Sequence, residues 1–205
     1  MMDELHEREQ LLVQDVQELS LLDVLRCSPG EASKVRAARE VRFLALWEQA
    51  SSEERLQKNE GGDTVLHQIA FHDFDGLVRS VLTDEPTLAS IPNPQKNLYP
   101  VHLAVQRAEN KVAALLFELD EASSEYKTYK RELAMHFAAR EGTEATMKIC
   151  CDHHKGDIDV LNFHGQSPLA CAIESNNAET ERYLRDKRAD ESLVDTRGVI
   201  QYPHK

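Results

Sequence analysis

The chain is short of positive charge, of cysteine and of long apolar runs. Its 205 residues carry 24 Lys and Arg against 36 Asp and Glu, a net charge of −12. Nucleic acid and anionic membranes are bound through clustered Lys and Arg, so this balance argues against both as partners. A basic partner surface, or solubility alone, accounts for the excess acid. Four cysteines are present, Cys27, Cys150, Cys151 and Cys171. Their spacing is not that of a disulfide framework, and the chain is too long to need one. The opening Met-Met-Asp-Glu-Leu-His-Glu-Arg-Glu is acidic and lacks the basic-then-apolar order of a secretory signal. No apolar run approaches the roughly 18 residues of a membrane span. These absences lead us to expect a cytoplasmic protein with reduced thiols. Export by a route without a cleaved signal would leave the same sequence.

Catalytic motifs are missing as well. There is no G-x-S-x-G elbow, no G-x-x-x-x-G-K phosphate loop and no H-E-x-x-H helix. No cofactor is expected. One run could carry chemistry, Cys150-Cys151-Asp152-His153-His154, because mixed Cys and His can hold zinc. Its spacing is not a familiar ligand pattern, and free cysteine behaves as a small buried hydrophobe. An enzyme or metal protein using this cluster is the alternative to an interaction module. Asp157 and Asp159 flank Ile158 and are a candidate carboxylate pair, but Asp and Asn are also ordinary turn formers.

What the chain has is a repeat. His67, His102 and His136 lie 35 and 34 residues apart. Each sits in a similar heptapeptide: Thr64-Val-Leu-His-Gln-Ile-Ala70, Tyr99-Pro-Val-His-Leu-Ala-Val105 and Leu133-Ala-Met-His-Phe-Ala-Ala139. Another 34 residues on, Ser167-Pro-Leu-Ala-Cys-Ala-Ile173 repeats the pattern with Ala170 in the histidine slot. A period of about 33 residues carrying T-P-L-H-x-A marks stacked helical units rather than a single-core enzyme. Each heptapeptide predicts a first helix, and a polar break follows: His72-Asp73, Glu141-Gly142 and Asn176-Asn177. A second helix then carries Leu77, Val78, Val81 and Leu82; next Val112, Ala113, Leu115 and Leu116; then Met147, Ile149, Cys150 and Cys151; then Tyr183 and Leu184. Connectors 83–98 and 118–132 read as long and irregular. Gly156 to Gly165 reads as a turn segment, and Asp195 to Gly198 as the start of a cut-short fifth unit.

Residues 3–26 predict a helix, from an apolar stripe through Leu5, Leu12, Val16, Leu19 and Leu22. Ser28-Pro29-Gly30-Glu31 reads as a second helix start, with Ser28 as cap and Glu31 as the capping-box acid. The helix after it has two apolar sides, one with Val35, Ala38, Val41, Leu44 and Ala45, the other with Phe43, Leu46 and Trp47. We therefore expect residues 1–57 to cap a repeat array over 58–205, since an end unit otherwise exposes its apolar face. Residues 29–57 also admit reading as a repeat that has lost its motif, and the first helix as a docking or self-association element.

The heptapeptides, the glycine-bearing connectors and the period resemble the ankyrin repeat over about residues 59–198. Departures are Val65 for proline, Tyr99 for threonine, Ala108 for the inter-helix glycine, and Leu133-Ala134 for Thr-Pro. The resemblance implies an all-α solenoid, with His67, His102 and His136 structural, hydrogen-bonding between units. It implies no catalysis and a protein partner seated on the turn tips and the exposed side of the first helices. Alignment unit by unit places Glu60, Asp63, Lys96, Leu98, Tyr129, Lys130, Glu132, Phe163, His164 and Gln166 at the tips. Phe71, His72, Gln106, Arg107, Arg140, Glu141, Glu174 and Ser175 fall on the helix face. Aromatics and arginine are enriched in binding hot spots, so Phe71, Tyr129, Phe163, Arg107 and Arg140 lead the candidates. Packing of Phe71 and Phe163 on neighbouring tips, and plain solvation of the arginines, are the competing readings. A monomeric adaptor, inhibitor or targeting protein is expected. The irregular motifs also fit an effector delivered into a host cell.

Overall fold

The computed structural model describes residues 15–27, 31 and 33–194. Among these residues every regular element is helical, and the β-structure is a single antiparallel bridge between Asn93 and Leu98. Helices α1 (Ser33–Gln49) and α2 (Ser52–Arg55) precede four pairs. The pairs are α3 (Val65–His72) with α4 (Asp75–Asp84), α5 (Pro100–Gln106) with α6 (Asn110–Leu119), α7 (Ala134–Glu141) with α8 (Glu144–His153), and α9 (Pro168–Glu174) with α10 (Ala178–Asp186). The first helices pack on one another in succession, as do the second helices, which makes two layers.

Each first helix starts where its heptapeptide does. Thr64, Tyr99, Leu133 and Ser167 hold extended backbone, and the next residue enters the helix. In three units the exposed amide there is capped by the histidine three residues on. His67, His102 and His136 Nδ1 accept from the N–H of Thr64, Tyr99 and Leu133 at 3.2, 3.0 and 3.1 Å. Histidine takes the part that Glu or Gln plays in a capping box. Tyr99 and Leu133 bring no short hydroxyl to the cap, and the unit still closes. In unit four Ala170 cannot do this, and Ser167 Oγ accepts from Ala170 N–H at 3.2 Å instead.

The break between paired helices is a left-handed residue in three units: Asp73 (φ 56°), Ala108 (56°) and Asn176 (53°). Asp and Asn tolerate that region through their short polar side chains; alanine has no such help. Gly142 holds the same slot in unit three but is extended, with φ −84° and ψ −179°. A Cβ there would meet the Ala138 carbonyl oxygen at 2.7 Å, so close approach requires this glycine.

The second helices turn Leu77, Val78, Val81, Leu82, Val112, Ala113, Leu116, Met147, Cys150 and Leu184 fully inward. Burial of each large side chain contributes about 1.5–3 kcal/mol. Leu115, Ile149, Cys151 and Tyr183 are only partly covered, and Phe117 is a core residue that the spacing did not single out. The two long connectors are ordered. Each carries a 3₁₀ turn at an equivalent place, Pro86–Ser90 and Glu121–Glu125.

The N-terminal expectations need correction. Only residues 15 and 16 of the described part of 3–26 are helical, and turns follow to residue 25. Ser20 Oγ donates to Asp23 Oδ2 and accepts Asp23 N–H, a local bond that competes with the helical ladder. Residues 3–14 lie outside the described part, as do Ser28, Pro29, Gly30 and the expected fifth unit at 195–198. Glu31 is not helical and forms a paired set of bonds with Arg39 at 2.8–3.1 Å, and its expected cap partner lies outside the described residues. Helix α1 buries Val35, Phe43 and Trp47, packs Ala38, Leu44 and Leu46 partly against the core, and leaves Val41 67% exposed. Two of its side chains tie it to unit one. Arg36 donates to the carbonyls of His72 and Asp73 at the end of α3 and stacks on Phe74, and Trp47 Nε1 donates to Asp84 at 2.8 Å.

Candidate partner-binding face

Before each first helix the chain makes a short hairpin that forms a tip. Four residues hold these tips, and the repeat motif gave no hint of them. Asn59, Asn93, Thr128 and Asn162 open each hairpin, and each side chain accepts backbone N–H bonds from the turn. The backbones close with Asn59 N to Asp63 O, Asn93 N to Leu98 O, Thr128 N to Glu132 O, and Asn162 N to Gln166 O, at 2.7–3.1 Å. Hairpin two is one residue longer, which accounts for the interval of 35 rather than 34. Gly62, Asn97, Arg131 and Gly165 occupy one slot in the four tips, and all have positive φ. An Asn or Thr five residues ahead of each heptapeptide, six in unit two, is the signal that finds this set.

Neighbouring tips are tied together. Tyr129 N donates to Lys96 O at 3.3 Å and Phe163 N to Lys130 O at 2.7 Å. Asn93 Nδ2 reaches Gly61 O at 2.8 Å and Asp63 Oδ1 at 2.6 Å. The histidines add a second tie below. His67 Nε2 donates to Leu98 O at 3.0 Å, His102 Nε2 to Tyr126 O at 3.0 Å, and His136 Nε2 to Val160 O and Gln166 O at 3.1 and 3.2 Å. With Nδ1 facing an amide N–H and Nε2 facing carbonyls, each ring is neutral with its proton on Nε2. Burial is the main cause of a lowered pKa in all three, and takes His102 and His136 down to about 4.

Two adjoining depressions line the face between tips and first helices. One, of 390 Å³, lies among Lys96, Leu98, Gln106, Tyr129, Lys130 and Arg140. The other, of 340 Å³, lies among Asp63, Phe71, His72, Lys96, Leu98 and Leu103. Tyr129 is 65% exposed, Phe163 67% and Phe71 40%. Arg107 lies over the Phe71 ring at 4.8 Å, so the two act as one contact unit. Lys96, Lys130 and His164 are exposed.

Other residues of the expected set are engaged within the fold. Arg140 is clamped by Glu132 at 2.7 Å and lies over Phe137 at 5.0 Å. Glu132 is buried with it, so it is a partner of Arg140 and not an open tip residue. His72 and Leu98 are half-buried, with their carbonyls taken by Arg36 and by Asn93 and His67. Gln106 donates to Glu141 at 3.0 Å and Gln166 pairs with Glu174.

The Cys150–His154 run does not converge on a point. Cys150 is in the core with its thiol pKa raised by burial, and Cys151 is pushed up to about 11 by the same cause. His153 stacks on Phe117 at 5.3 Å, while His154 turns to Glu125 at 2.9 Å. Asp157 Oδ1 accepts Asp159 N–H, and Asp159 Oδ1 accepts Asp190 N–H, so both carboxylates serve turns.

A family model of ankyrin repeats, in three copies, matches residues 101–195. The p105 subunit of nuclear factor NF-kappa-B from Gallus gallus is 28% identical over 135 residues, 62% of this chain and 13% of that protein. Ankyrin repeat domain-containing protein 53 of Macaca fascicularis is 24% identical over 153 residues, 74% of this chain and 25% of that protein. The chain thus spans a quarter or less of the curated relatives it matches. A chain from the solved complex of the predatory endopeptidase Bd0816 of Bdellovibrio bacteriovorus with immunity protein Bd3460 superposes with a TM-score of 0.61 at 21% identity, over 72% of this chain and 74% of that one. No helix among the described residues is long and apolar enough to cross a membrane. Unit one lies ahead of the matched span yet shares the histidine cap, the left-handed break and the tied tip of its neighbours. From repeat, geometry and family match together, this chain is an ankyrin-repeat protein.

Proposed function

We propose that the chain is a non-catalytic, monomeric, cytoplasmic module that binds a protein partner across its tips and first helices, as an adaptor, inhibitor or targeting protein. Ankyrin repeats are in general protein-interaction modules. The observation that carries the reading here is the clustering of exposed aromatics. Tyr129 and Phe71 each line one of the two depressions, and Phe163 is exposed at the next tip. Aromatics so placed on a backbone already tied by hydrogen bonds lose little entropy on binding. Residues 1–57 serve on this reading as the cap of the array over 58–205, with Arg36 and Trp47 as its anchors on unit one.

Affinity capture from eukaryotic lysate tests this, comparing the native chain with a folded variant carrying alanine at Phe71, Arg107, Tyr129 and Phe163. A protein captured by the native chain alone supports the reading. Equal capture by both moves the site to the convex side or the N-terminal segment. A chain lacking residues 1–26 that unfolds supports the cap; one that folds but loses its partner makes that segment a docking element.

A further inference from the structure

We propose that the tips of units two to four form a docking strip for an acidic, extended polypeptide segment with apolar side chains. The proposal rests on reading this face as protein-binding, and it names the partner's chemistry. The chain carries −12 overall, yet the sign is inverted on these tips. Their exposed charged residues are Lys96, Lys130 and Arg131, with His164 next in line, and Glu132, the single acid in these three hairpins, is buried against Arg140. Away from the tips cations are matched to acids of a neighbouring unit: Arg79 to Glu118, Lys111 to Asp75, Lys155 to Glu121 and Arg182 to Glu144. Lys96, Lys130 and Arg131 have no such ion pair among the described residues. Their charge is available to a partner.

The repeat sets the order of these groups. Lys96, Lys130 and His164 hold one slot in successive tips, and Tyr129 and Phe163 hold the slot before it. The result is a row led by two lysines beside an aromatic row. Bonds from Tyr129 N to Lys96 O and from Phe163 N to Lys130 O keep the rows in register. A segment lying along the tips meets lysine and aromatic alternately, which favours Asp or Glu interleaved with Leu or Phe. Range selects a short peptide over a long polyanion. Exposed charges act over about 8 Å at physiological salt, so a peptide confined to the strip feels the lysines. A nucleic acid or membrane extending past it meets the surrounding acidic surface.

The test uses the full chain and a phage-displayed library of short random peptides. We expect enriched sequences to be rich in Asp and Glu with Leu, Phe or Tyr. Fluorescence anisotropy of an enriched peptide should then show affinity falling with added salt, and falling about tenfold in the variant K96E/K130E. Both side chains are exposed, so this variant should fold, and an unchanged melting curve checks it. Enrichment of neutral or basic peptides, or equal affinity in the variant, overturns the proposal. So does tighter binding of a deoxythymidine oligonucleotide or of phosphatidylserine vesicles. Neutral peptides whose binding depends on Phe71 and Arg107 would overturn the charge argument and leave the protein-binding face intact. Enrichment of no peptide, together with a lysate capture equal in native and alanine variants, would overturn both.

Discussion

Replacing His102 with glutamine should weaken the protein at neutral pH and make it less sensitive to acid. The ring is fully buried, takes an N–H bond from Tyr99 on Nδ1 and gives one to Tyr126 O through Nε2. A proton added at Nδ1 would point at the Tyr99 amide, which already donates there, and would place a charge in the core. The folded-state pKa is accordingly about 4 against an ordinary 6.5. Between those values the unfolded chain binds the proton and the folded chain does not, so stability falls as pH drops from 6.5 toward 4. Each pH unit is worth about 1.4 kcal/mol, so at pH 5 the native protein has lost about 2 kcal/mol through this residue alone. Glutamine can still accept from Tyr99 N–H, but Tyr126 O loses its partner, at a cost of about 1–3 kcal/mol at pH 7. It does not titrate. Urea unfolding at pH 7 and pH 5 should therefore show the gap between native and H102Q narrowing by about 2 kcal/mol. Carboxylates titrate in both proteins and cancel in the difference. A gap of equal size at both pH values would refute a neutral, desolvated ring. So would ¹⁵N shifts placing the proton on Nδ1.

Further changes probe the backbone and the tips. Ala108→Gly relieves a left-handed alanine at φ 56°, and should raise stability by about 1 kcal/mol and the melting temperature by a few degrees; a lower melting temperature would contradict it. Gly142→Ala should cost several times as much despite its ordinary φ, because the added methyl would stand 2.7 Å from a main-chain oxygen; near-neutral melting would show that this approach relaxes freely. Asn162→Ala removes an oxygen that accepts two turn N–H groups, and should cost about 1–3 kcal/mol and raise hydrogen exchange in the fourth tip; unaltered exchange at His164 and Gln166 would sink it. Glu109 has a pKa raised by burial and then by Asp73, so its carboxyl stabilises the fold when protonated and loses that as pH rises through its folded value. Glu109→Gln should be more stable than native at pH 7, with the advantage fading in acid; an equal offset at both ends would be inconsistent.

The first-helix starts were legible because a helix opening asks for particular residue types at particular offsets. The identity of the capping group was less so. The motif points to a hydroxyl, whereas in units one to three the N-terminal amide goes to the histidine, and the hydroxyl carries that duty only at Ser167. Within the described residues 15–26 the helix stops after residue 16, and Ser20 bonds locally to Asp23 instead of continuing the periodicity. On α1 both apolar sides pack on the core, Val35, Ala38 and Leu44 from one and Phe43, Leu46 and Trp47 from the other, while Val41 faces solvent. Which member of an apolar side finds a neighbour is a tertiary fact that spacing does not hold.

For the candidate face, residue type was visible and availability was not. Arg107 and Arg140 look alike in sequence, at the same slot but for one residue. Arg107 is exposed and lies over an exposed ring, while Arg140 is held by a buried carboxylate eight residues before it. That pairing removes both Arg140 and Glu132 from the charge a partner meets. Total charge is blind to availability in the same way. Counted over the chain, −12 fits a basic partner surface or solubility alone. Most acids counted there lie off the tips, several matched to cations of a neighbouring unit, and what remains on tips two to four is lysine and arginine. Exposed charges are felt over about one Debye length, some 8 Å, which is far less than the length of the array. On the proposed strip a partner segment would respond to the tips it touches, where the exposed charge is opposite in sign to that of the protein.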